Sequence, residues 1–368
     1  MPAAGTAIAR RRLLTQRVSK TAFMRPEDVV GWLGAVQAQD YLGALWAVGL
    51  RLREGTERDV ERALAERAIV RTWPMRGTLH FVAADDARWM TELLARRPAA
   101  AGAGRLRSFG IDEAVLARAR RVLEKRLAGG ACLTRPATYR VLEEAGIPAG
   151  EQRGLHIVWR LAQECVVCFG PREGKQQTFV LFDEWLPRAK RLPRDEALGT
   201  LATRYFTGHG PATLADFTWW SGLTVADARR AVAIAGESLW GVELDGERYW
   251  SARGTPPRLA AGAAVHVLPP FDEMLVGYTD RSASVDAAVA RKVIAGGIFL
   301  PVVVVDGRVV GTWRRKTERA AVACTLVPFL PWSQATQRAA GRALERYATF
   351  LGTGLRRIFP APRSVSGS

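Results

Sequence analysis

The sequence has few of the residues that mark several common protein classes. It contains only four cysteines and four histidines in 368 residues. No segment approaches the ~18 uncharged apolar residues of a membrane span, and no apolar secretory core follows the basic N-terminal segment. We therefore expect a globular cytoplasmic protein without a disulfide framework. A P-loop, a Gly-x-Gly-x-x-Gly fingerprint and a Ser/His/Asp hydrolase pattern are also absent.

One short pattern resembles half of a metal site. Cys165 and Cys168 have the Cys-x-x-Cys spacing, but a structural zinc site needs a second ligand pair at similar spacing. None of the four histidines provides one. We interpret the two cysteines as buried residues at a helix end or strand start, and we predict neither a metal nor a cofactor.

Acidic residues are scarce relative to basic ones. The 53 lysines and arginines exceed the 36 aspartates and glutamates, which gives a net charge of +17. A GC-rich genome enriches arginine and alanine, but the same bias enriches acidic codons and does not explain the imbalance. Such a surplus favours a polyanionic partner, and nucleic acid is preferred over a membrane surface or an acidic protein.

Three segments of the chain share one pattern. Segments from Thr134 and His209 each contain Pro-Ala-Thr, a short amphipathic helix, a turn, a second helix and strand-like residues. Pro136 and Pro211 suit the first turn of a helix. A weaker copy begins at Met24, continues through a helix over 56–67 and ends in a strand, turn and strand. This order is typical of a winged helix.

The last hundred residues have a different character. Two β-branched runs around Asp306-Gly307 predict a tight hairpin, and an amphipathic helix is expected over 333–351. The predicted fold class is α+β and mainly helical, with three tandem winged-helix units and a C-terminal α+β element. The predicted domains are 1–110, 111–187, 188–261 and 262–368, and a linker, ARRPAAAGAGRLRS, separates the first two units.

The most unusual polar residues lie in the apolar stretch VQAQD. Gln37 and Gln39 flank one alanine and Asp40 follows. Amide side chains do not titrate near pH 7, so they cannot serve as general acid or base. The spacing alone leaves two interpretations open: amides at a helix C-terminus that cap backbone carbonyls or face solvent, or amides that orient reactants.

Three ordered motifs carry a resemblance to a known family. VGWLGAVQAQD, VRTWPMRGTLHFV and LPPFDEMLVGYTDR together resemble the winged-helix DNA glycosylases of the AlkZ-like family, over essentially the whole chain. The resemblance implies excision of N7-alkylated purines, unhooking of interstrand crosslinks, and self-resistance to a DNA-alkylating natural product such as azinomycin B. It also implies that Gln37 and Gln39 form the catalytic Gln-x-Gln motif.

The chemistry agrees with this implication. Glycosidic hydrolysis normally needs an acid for the leaving group and a base for water. An N7-alkylguanine is already cationic and leaves as a neutral base, so two tasks remain: holding a water and stabilising the oxocarbenium-like sugar. Oriented amides can perform both. Asp40 is a candidate base, although an aspartate after a helix is more often a turn or cap residue.

Several basic residues are candidates for DNA contact. Arg71, Arg76 and His80 lie in the first wing, where the alternative is a turn arginine and a satisfied core histidine. The C-terminal hairpin adds Arg308 at its tip and Arg314, Arg315 and Lys316 at its base, with a solvated core hairpin as the alternative. Deletion of 306–308 is expected to weaken lesion processing and leave the fold intact.

An acidic pair lies within the third motif. Asp272 and Glu273 are adjacent, so on a strand they would face opposite sides. This argues against a shared catalytic site. Ion pairs with Arg281 or other arginines are the expected use.

Two functional interpretations remain. The first is a monofunctional glycosylase acting on double-stranded DNA, since the chain has only six lysines and none is closer to the glutamines than Lys20. The alternative is a non-catalytic winged-helix transcription regulator. Three units in one chain make a monomer sufficient for either function.

Overall fold

The computed structural model describes residues 2–254 and 264–358. Within these residues, the same order of secondary-structure elements occurs three times. Two helices come first, α1 (Pro2–Thr15) and α2 (Pro26–Leu33). The first repeat then consists of β1 (Val36–Gln37), α3 (Tyr41–Gly49), α4 (Glu57–Ala65), β2 (Ile69–Met75) and β3 (Thr78–Ala83). The helix expected over 56–67 and the hairpin that follows it are therefore confirmed.

The second and third repeats have the same order. Between the first two repeats lie α5 (Ala87–Leu94), α6 (Arg96–Ser108) and α7 (Glu113–Leu127). The second repeat is β4 (Leu133–Thr134), α8 (Arg135–Glu144), α9 (Arg153–Gln163), β5 (Val167–Phe169) and β6 (Thr178–Leu181). After α10 (Phe182–Trp185) and α11 (Arg194–His209), the third is β7 (Ala212–Thr213), α12 (Leu214–Ser221), α13 (Val225–Ala235), a 3₁₀ turn (Gly236–Ser238), β8 (Leu239–Leu244) and β9 (Glu247–Ala252).

Each repeat forms its own antiparallel three-stranded sheet. In each sheet the last strand of the repeat lies between the other two, in the orders β1-β3-β2, β4-β6-β5 and β7-β9-β8. A short strand, two helices and a terminal hairpin agree with the predicted winged-helix units. The α+β class is confirmed.

Side-chain caps explain where several helices begin. Thr56 and Thr213 each form a capping box with an aspartate three residues later, Asp59 and Asp216. Thr134 accepts a hydrogen bond from the N–H of Ala137 at the start of α8. The prediction for Pro211 was wrong, because Pro211 precedes β7 and the helix begins only at Leu214.

The predicted linker between the first two units is also wrong. Its sequence ARRPAAAGAGRLRS lies almost entirely in α6, Arg96–Ser108. The segment is rich in alanine, the residue with the highest helix propensity, and its proline lies in the first turn, where no hydrogen bond is lost. These preferences outweigh its two interior glycines.

The C-terminal element is built on a five-stranded sheet. Its elements are β10 (Val265–Leu268), α14 (Glu273–Val276), α15 (Ala290–Val293), the paired strands β11 (Ile294–Ala295) and β12 (Ile298–Phe299), β13 (Val302–Val305), β14 (Arg308–Thr317), β15 (Ala321–Pro328), α16 (Gln334–Leu351) and β16 (Gly354–Ile358). The sheet order is β10-β13-β14-β15-β16.

Both predicted features of this element are confirmed. Asp306 and Gly307 join β13 to β14 with φ of 50° and 82°, as a type I′ turn requires. The closing helix α16 begins after Ser333, whose hydroxyl accepts a hydrogen bond from Thr336 N.

Within the described residues, no helix has the length and apolar character needed to cross a membrane.

The hydrophobic cores join the predicted domains. One core combines the helices of the first repeat with the C-terminal sheet and α16. A second joins the wing of the first repeat to α5 and to the third repeat. Trp73 of the first repeat packs into the core of the second. The boundaries at 110 and 187 stay predictions, and that at 261 lies outside the described residues.

Candidate active site

Gln37 lies on an edge strand and Gln39 just beyond it, and neither is at the end of a helix. Gln37 in β1 pairs with His80 in β3, and the N–H of Ala38 donates to the carbonyl of Leu79 at 2.7 Å. Gln37 ends this strand, and Gln39 lies two residues beyond it, in a bend. Gln37 is only 8% exposed, whereas Gln39 is exposed. The helix-end alternative for these amides is therefore wrong.

Arg76 fixes the side chain of Gln37. Its Nη2 lies 3.1 Å from Gln37 Oε1 and 3.1 Å from His80 Nε2, and its Nη1 donates to the carbonyl oxygen of Trp220. A guanidinium can only donate, so its partner on Gln37 must be the amide oxygen. The Gln37 amide is therefore oriented with its oxygen toward Arg76.

Gln39 is oriented in a similar way by the backbone. The N–H of Leu79 donates to Gln39 Oε1 at 3.0 Å, and a backbone N–H is also only a donor. Each amide oxygen therefore accepts one hydrogen bond from the protein and keeps one lone pair. Within the part of the chain that the structure describes, neither Nε2 donates to a protein group.

His80 is fully buried and supports Arg76. Its Nε2 faces the Arg76 guanidinium, so this nitrogen is the acceptor, and its Nδ1 faces the Thr78 carbonyl at 3.0 Å. Burial and the nearby arginine lower the pKa of His80 well below 6.5. The ring is therefore neutral at pH 7, and it is remote from solvent.

Arg71 holds the backbone between the two glutamines. Its Nε and Nη2 donate to the carbonyl oxygen of Ala38 at 3.2 and 2.8 Å, and its guanidinium lies 4.9 Å from the ring centre of Phe169. Burial lowers the pKa of Arg71 to about 10, so it remains charged at pH 7. With 7% exposure, Arg71 lies behind the motif.

Asp40 is the N-cap of α3. Its Oδ1 accepts a hydrogen bond from Gly43 N at 2.6 Å, and Arg315 Nη2 lies 3.7 Å from the same oxygen. The cap interpretation is confirmed. The Asp40 side chain is 41% exposed, so its other oxygen remains accessible beside Gln39.

The two ends of the C-terminal hairpin differ in their surroundings. The base carries exposed Arg314 and Lys316, and Arg315 connects it to Asp40 and to the hydroxyl of Tyr347. The base therefore lies next to the glutamine motif.

The tip of the hairpin is packed against the protein. A Cβ at Gly307 would lie 2.6 Å from the carbonyl oxygen of Ala9 in α1. Arg308 donates to the Ala283 carbonyl at 3.3 Å and lies 3.9 Å from Asp286. This packing does not fit a tip that reaches into DNA, nor the expectation that deletion of 306–308 leaves the fold intact.

The acidic pair of the third motif was only partly understood from sequence. Asp272 is not on a strand but caps α14, and it pairs with buried Arg51 at 2.9 Å rather than with Arg281. Glu273 accepts a hydrogen bond from the N–H of Gln37 at 3.0 Å. Sequence reasoning missed this link, because 236 residues separate the two positions.

Other predicted positions can be placed briefly. Cys165 follows α9 and Cys168 lies in β5, and both are buried free thiols, as their interpretation as a helix end and a strand start requires. Burial raises the pKa of Cys165 to about 12. Both thiols are therefore protonated at pH 7.

Comparisons with known proteins identify relatives of the chain over most of its length. The family described as "DNA glycosylase AlkZ-like" matches residues 30–350. An interstrand DNA cross-link repair glycosylase of Streptomyces sahachiroi is 31% identical over 327 residues, covering 82% of this chain and 84% of that protein. The DNA glycosylase AlkZ of the same organism has a similar fold, with a TM-score of 0.78 at 24% identity over 96% of this chain and 98% of that one.

The family match decides between the two functional interpretations. It spans both the segment with Gln37 and Gln39 and the segment with Glu273, and its description names a DNA glycosylase, which is an enzyme. The prediction of a DNA glycosylase is confirmed over that of a non-catalytic regulator. The chain belongs to the AlkZ-like family of DNA glycosylases.

Proposed function

We propose that this chain hydrolyses the N-glycosidic bond of N7-alkylated purines in double-stranded DNA and unhooks interstrand crosslinks that such bases form. The observation that carries the proposal is the pair of oriented amides at β1 and just beyond it, Gln37 and Gln39. The related S. sahachiroi protein, a cross-link repair glycosylase, supports the crosslink as substrate. Self-resistance to a DNA-alkylating natural product is the corresponding physiological role.

The two amides have distinct tasks in this proposal. Gln39 is exposed, and the free lone pair of its Oε1 can accept a hydrogen bond from the attacking water. Gln37 is held firmly, and its dipole stabilises the positive charge that develops at the anomeric carbon. The leaving purine carries its own positive charge, so no protonated group is required.

The exposure of Gln39 suits a crosslinked substrate. A base that is tethered to the opposite strand cannot rotate out of the helix as many base-modifying enzymes require. The site must therefore reach the anomeric carbon while the lesion stays stacked. A catalytic amide on an accessible sheet edge permits this approach.

The candidate DNA-binding residues divide by their location. Arg314, Arg315 and Lys316 lie at the accessible hairpin base and are proposed to contact phosphates beside the lesion. Arg71 and His80 are buried behind β1, so we propose that they hold the motif in place. Arg308 packs against 283–286 and is proposed to stabilise the tip.

The test is single-turnover excision from a duplex with one N7-methylguanine. Released base is measured by chromatography, and abasic sites by mild alkaline cleavage, against an enzyme-free background. We expect intact strands before alkali and no covalent adduct after borohydride, since the enzyme should be monofunctional. A crosslinked duplex is assayed in parallel. The proposal would be refuted if neither duplex gained abasic sites and no N7-methylguanine were released.

Alanine variants assign the chemistry. Gln37→Ala and Gln39→Ala should each slow excision by about 10²-fold or more, the scale of one lost oriented contact in a transition state. Gln163→Ala is the matched control, since this buried glutamine of α9 has no hydrogen-bond partner among the described residues. Asp40→Asn tests the remaining candidate: a large loss there with small effects at both glutamines would make Asp40 the base.

A further inference from the structure

A buried carboxylate lies behind the catalytic strand without a lysine or arginine partner. Glu273 has 0% exposure, and its only ion-pair partner within 4 Å among the described residues is His209. An ionised carboxylate loses much solvation energy when it is buried. Its neighbour Asp272 is also buried but has a bidentate partner in Arg51. Contacts other than an ion pair with lysine or arginine must therefore stabilise the buried carboxylate of Glu273.

Three groups direct nitrogen atoms at this carboxylate. The N–H of Gln37 donates to Oε1 at 3.0 Å, and the indole Nε1 of Trp220 donates to Oε2 at 3.0 Å. His209 Nε2 lies 3.2 Å from Oε2. These groups belong to β1, α12 and the end of α11, so one carboxylate connects the first repeat, the third repeat and the C-terminal element.

The contacts of Glu273 form a closed ring that includes the side chain of Gln37. Trp220, which donates to the carboxylate, also accepts at its carbonyl oxygen from Arg76 Nη1. Arg76 Nη2 in turn donates to Gln37 Oε1. Glu273 therefore holds the backbone of Gln37 directly, and through Trp220 and Arg76 it holds the side-chain amide.

The residues that surround Glu273 are closely packed. His209 and Trp220 are fully buried, and the His209 ring stacks on Tyr205 with centroids 4.7 Å apart. The side-chain amide of Gln16 donates to the backbone carbonyl of Glu273 at 3.1 Å. The carboxylate therefore has little freedom to follow a displaced β1 strand, which suits a group that fixes a position.

We propose that Glu273 is a positioning residue of the glycosylase site, which orients Gln37 through this closed ring of hydrogen bonds. This inference rests on the proposed function. Glu273 is buried and remote from DNA, so its contribution belongs to the chemical step and not to DNA binding. Its effect also requires Gln37, because Gln37 is the group that it orients.

The test is a double-mutant cycle between Glu273→Gln and Gln37→Ala. Glutamine keeps the shape of glutamate but provides one acceptor oxygen where two obligate donors, the N–H of Gln37 and the indole N–H of Trp220, converge on different oxygens. We expect Glu273→Gln to slow single-turnover excision at least about ten-fold and to change the dissociation constant for undamaged duplex less than about two-fold. In the Gln37→Ala background the same substitution should slow excision by a clearly smaller factor, because the amide that Glu273 orients is absent and only the backbone contact at residue 37 remains.

A merely structural role gives a different result. If Glu273 only stabilises the fold, Glu273→Gln slows excision by the same factor with and without Gln37, and this outcome would overturn the inference. Asp272→Asn is the matched control, since it removes an adjacent buried carboxylate that does not contact Gln37. Its effect on the rate should be equal in both backgrounds.

A second variant covers the case in which Glu273→Gln does not fold. Trp220→Phe keeps an aromatic ring in place, removes the indole N–H that donates to Glu273, and leaves part of the indole volume unfilled. Its effect on the excision rate should also be smaller in the Gln37→Ala background. An undiminished effect there would refute the positioning role of the hydrogen-bond ring. The wild-type protein separates the two levels of proposal: no excision refutes the function, whereas normal excision with additive cycles refutes only the role of Glu273.

Discussion

Arg76 is the residue at which positioning and DNA binding can be separated most clearly. The variant Arg76→Met keeps a long side chain but removes the donors to Gln37 Oε1 and to the Trp220 carbonyl. A hydrogen bond that involves a charged group contributes ~1.5–3 kcal/mol. Because each ~1.4 kcal/mol in the barrier is ten-fold in rate, we expect excision of N7-methylguanine to slow by roughly 10- to 100-fold.

The assay measures two quantities on the same protein. Single-turnover excision reports the orientation of Gln37, and the salt dependence of binding to undamaged duplex reports phosphate contacts, since the loss of one contact lowers the slope by about one. We expect a slower reaction at an unchanged slope. An unchanged rate with a lower slope would refute the positioning role and make Arg76 a phosphate-binding residue.

Arg97→Met is the control for this variant. Arg97 lies in α6, and its Nη1 donates to the carbonyls of Gly222 and Leu223 at 2.7 and 2.9 Å. It therefore ties α6 to the turn between α12 and α13, close to the carbonyl that Arg76 binds, but without contact to a glutamine. Its replacement should leave the excision rate unchanged.

The remaining predictions concern pH and the hairpin. Burial keeps the pKa of His80 well below 6.5, so excision should be nearly flat between about pH 5.5 and 8, and a steep acidic limb would instead indicate a carboxylate base such as Asp40. The unfolded chain binds a proton at His80 that the folded chain does not, so stability should fall, not rise, as pH drops below 6.5 in denaturant titrations. Gly307→Ala should destabilise the protein by about 2 kcal/mol, because φ is 82° and the new Cβ would meet Ala9; an unchanged melting temperature contradicts the packed tip. Lys316→Ala should leave stability unchanged and lower the salt slope of DNA binding by about one.

Local signals predicted many of the elements correctly. The Asp306-Gly307 turn and the helix predicted from Thr56 depend on residues within a few positions of each other, so a short segment of sequence is enough to predict them. The same applies to the wing of the first repeat, where Arg76 and Gly77 both have positive φ. Linker composition was the less reliable signal, as α6 demonstrates.

Long-range pairing explains what sequence reasoning missed at the site. The stretch around Gln37 and Gln39 is apolar and reads as part of a helix, but pairing with β3 makes it a strand of two residues. No local preference specifies so short a strand. The partners of Glu273 lie 53, 64 and 236 residues away, and an isolated glutamate in an apolar segment does not indicate which donors will converge on it.

Uncharged catalytic groups place a particular demand on the surrounding structure. A carboxylate exerts its field in every rotamer, whereas the effect of an amide dipole changes sign when the group is rotated by 180°. A glycosylase that relies on Gln37 and Gln39 must therefore fix their orientation, and each amide oxygen faces an obligate donor, Arg76 in one case and Leu79 N in the other. The charged residues Arg71 and Glu273 hold the backbone on either side of this arrangement. It follows that substitutions in this buried support should impair the chemistry nearly as strongly as substitutions of the glutamines themselves.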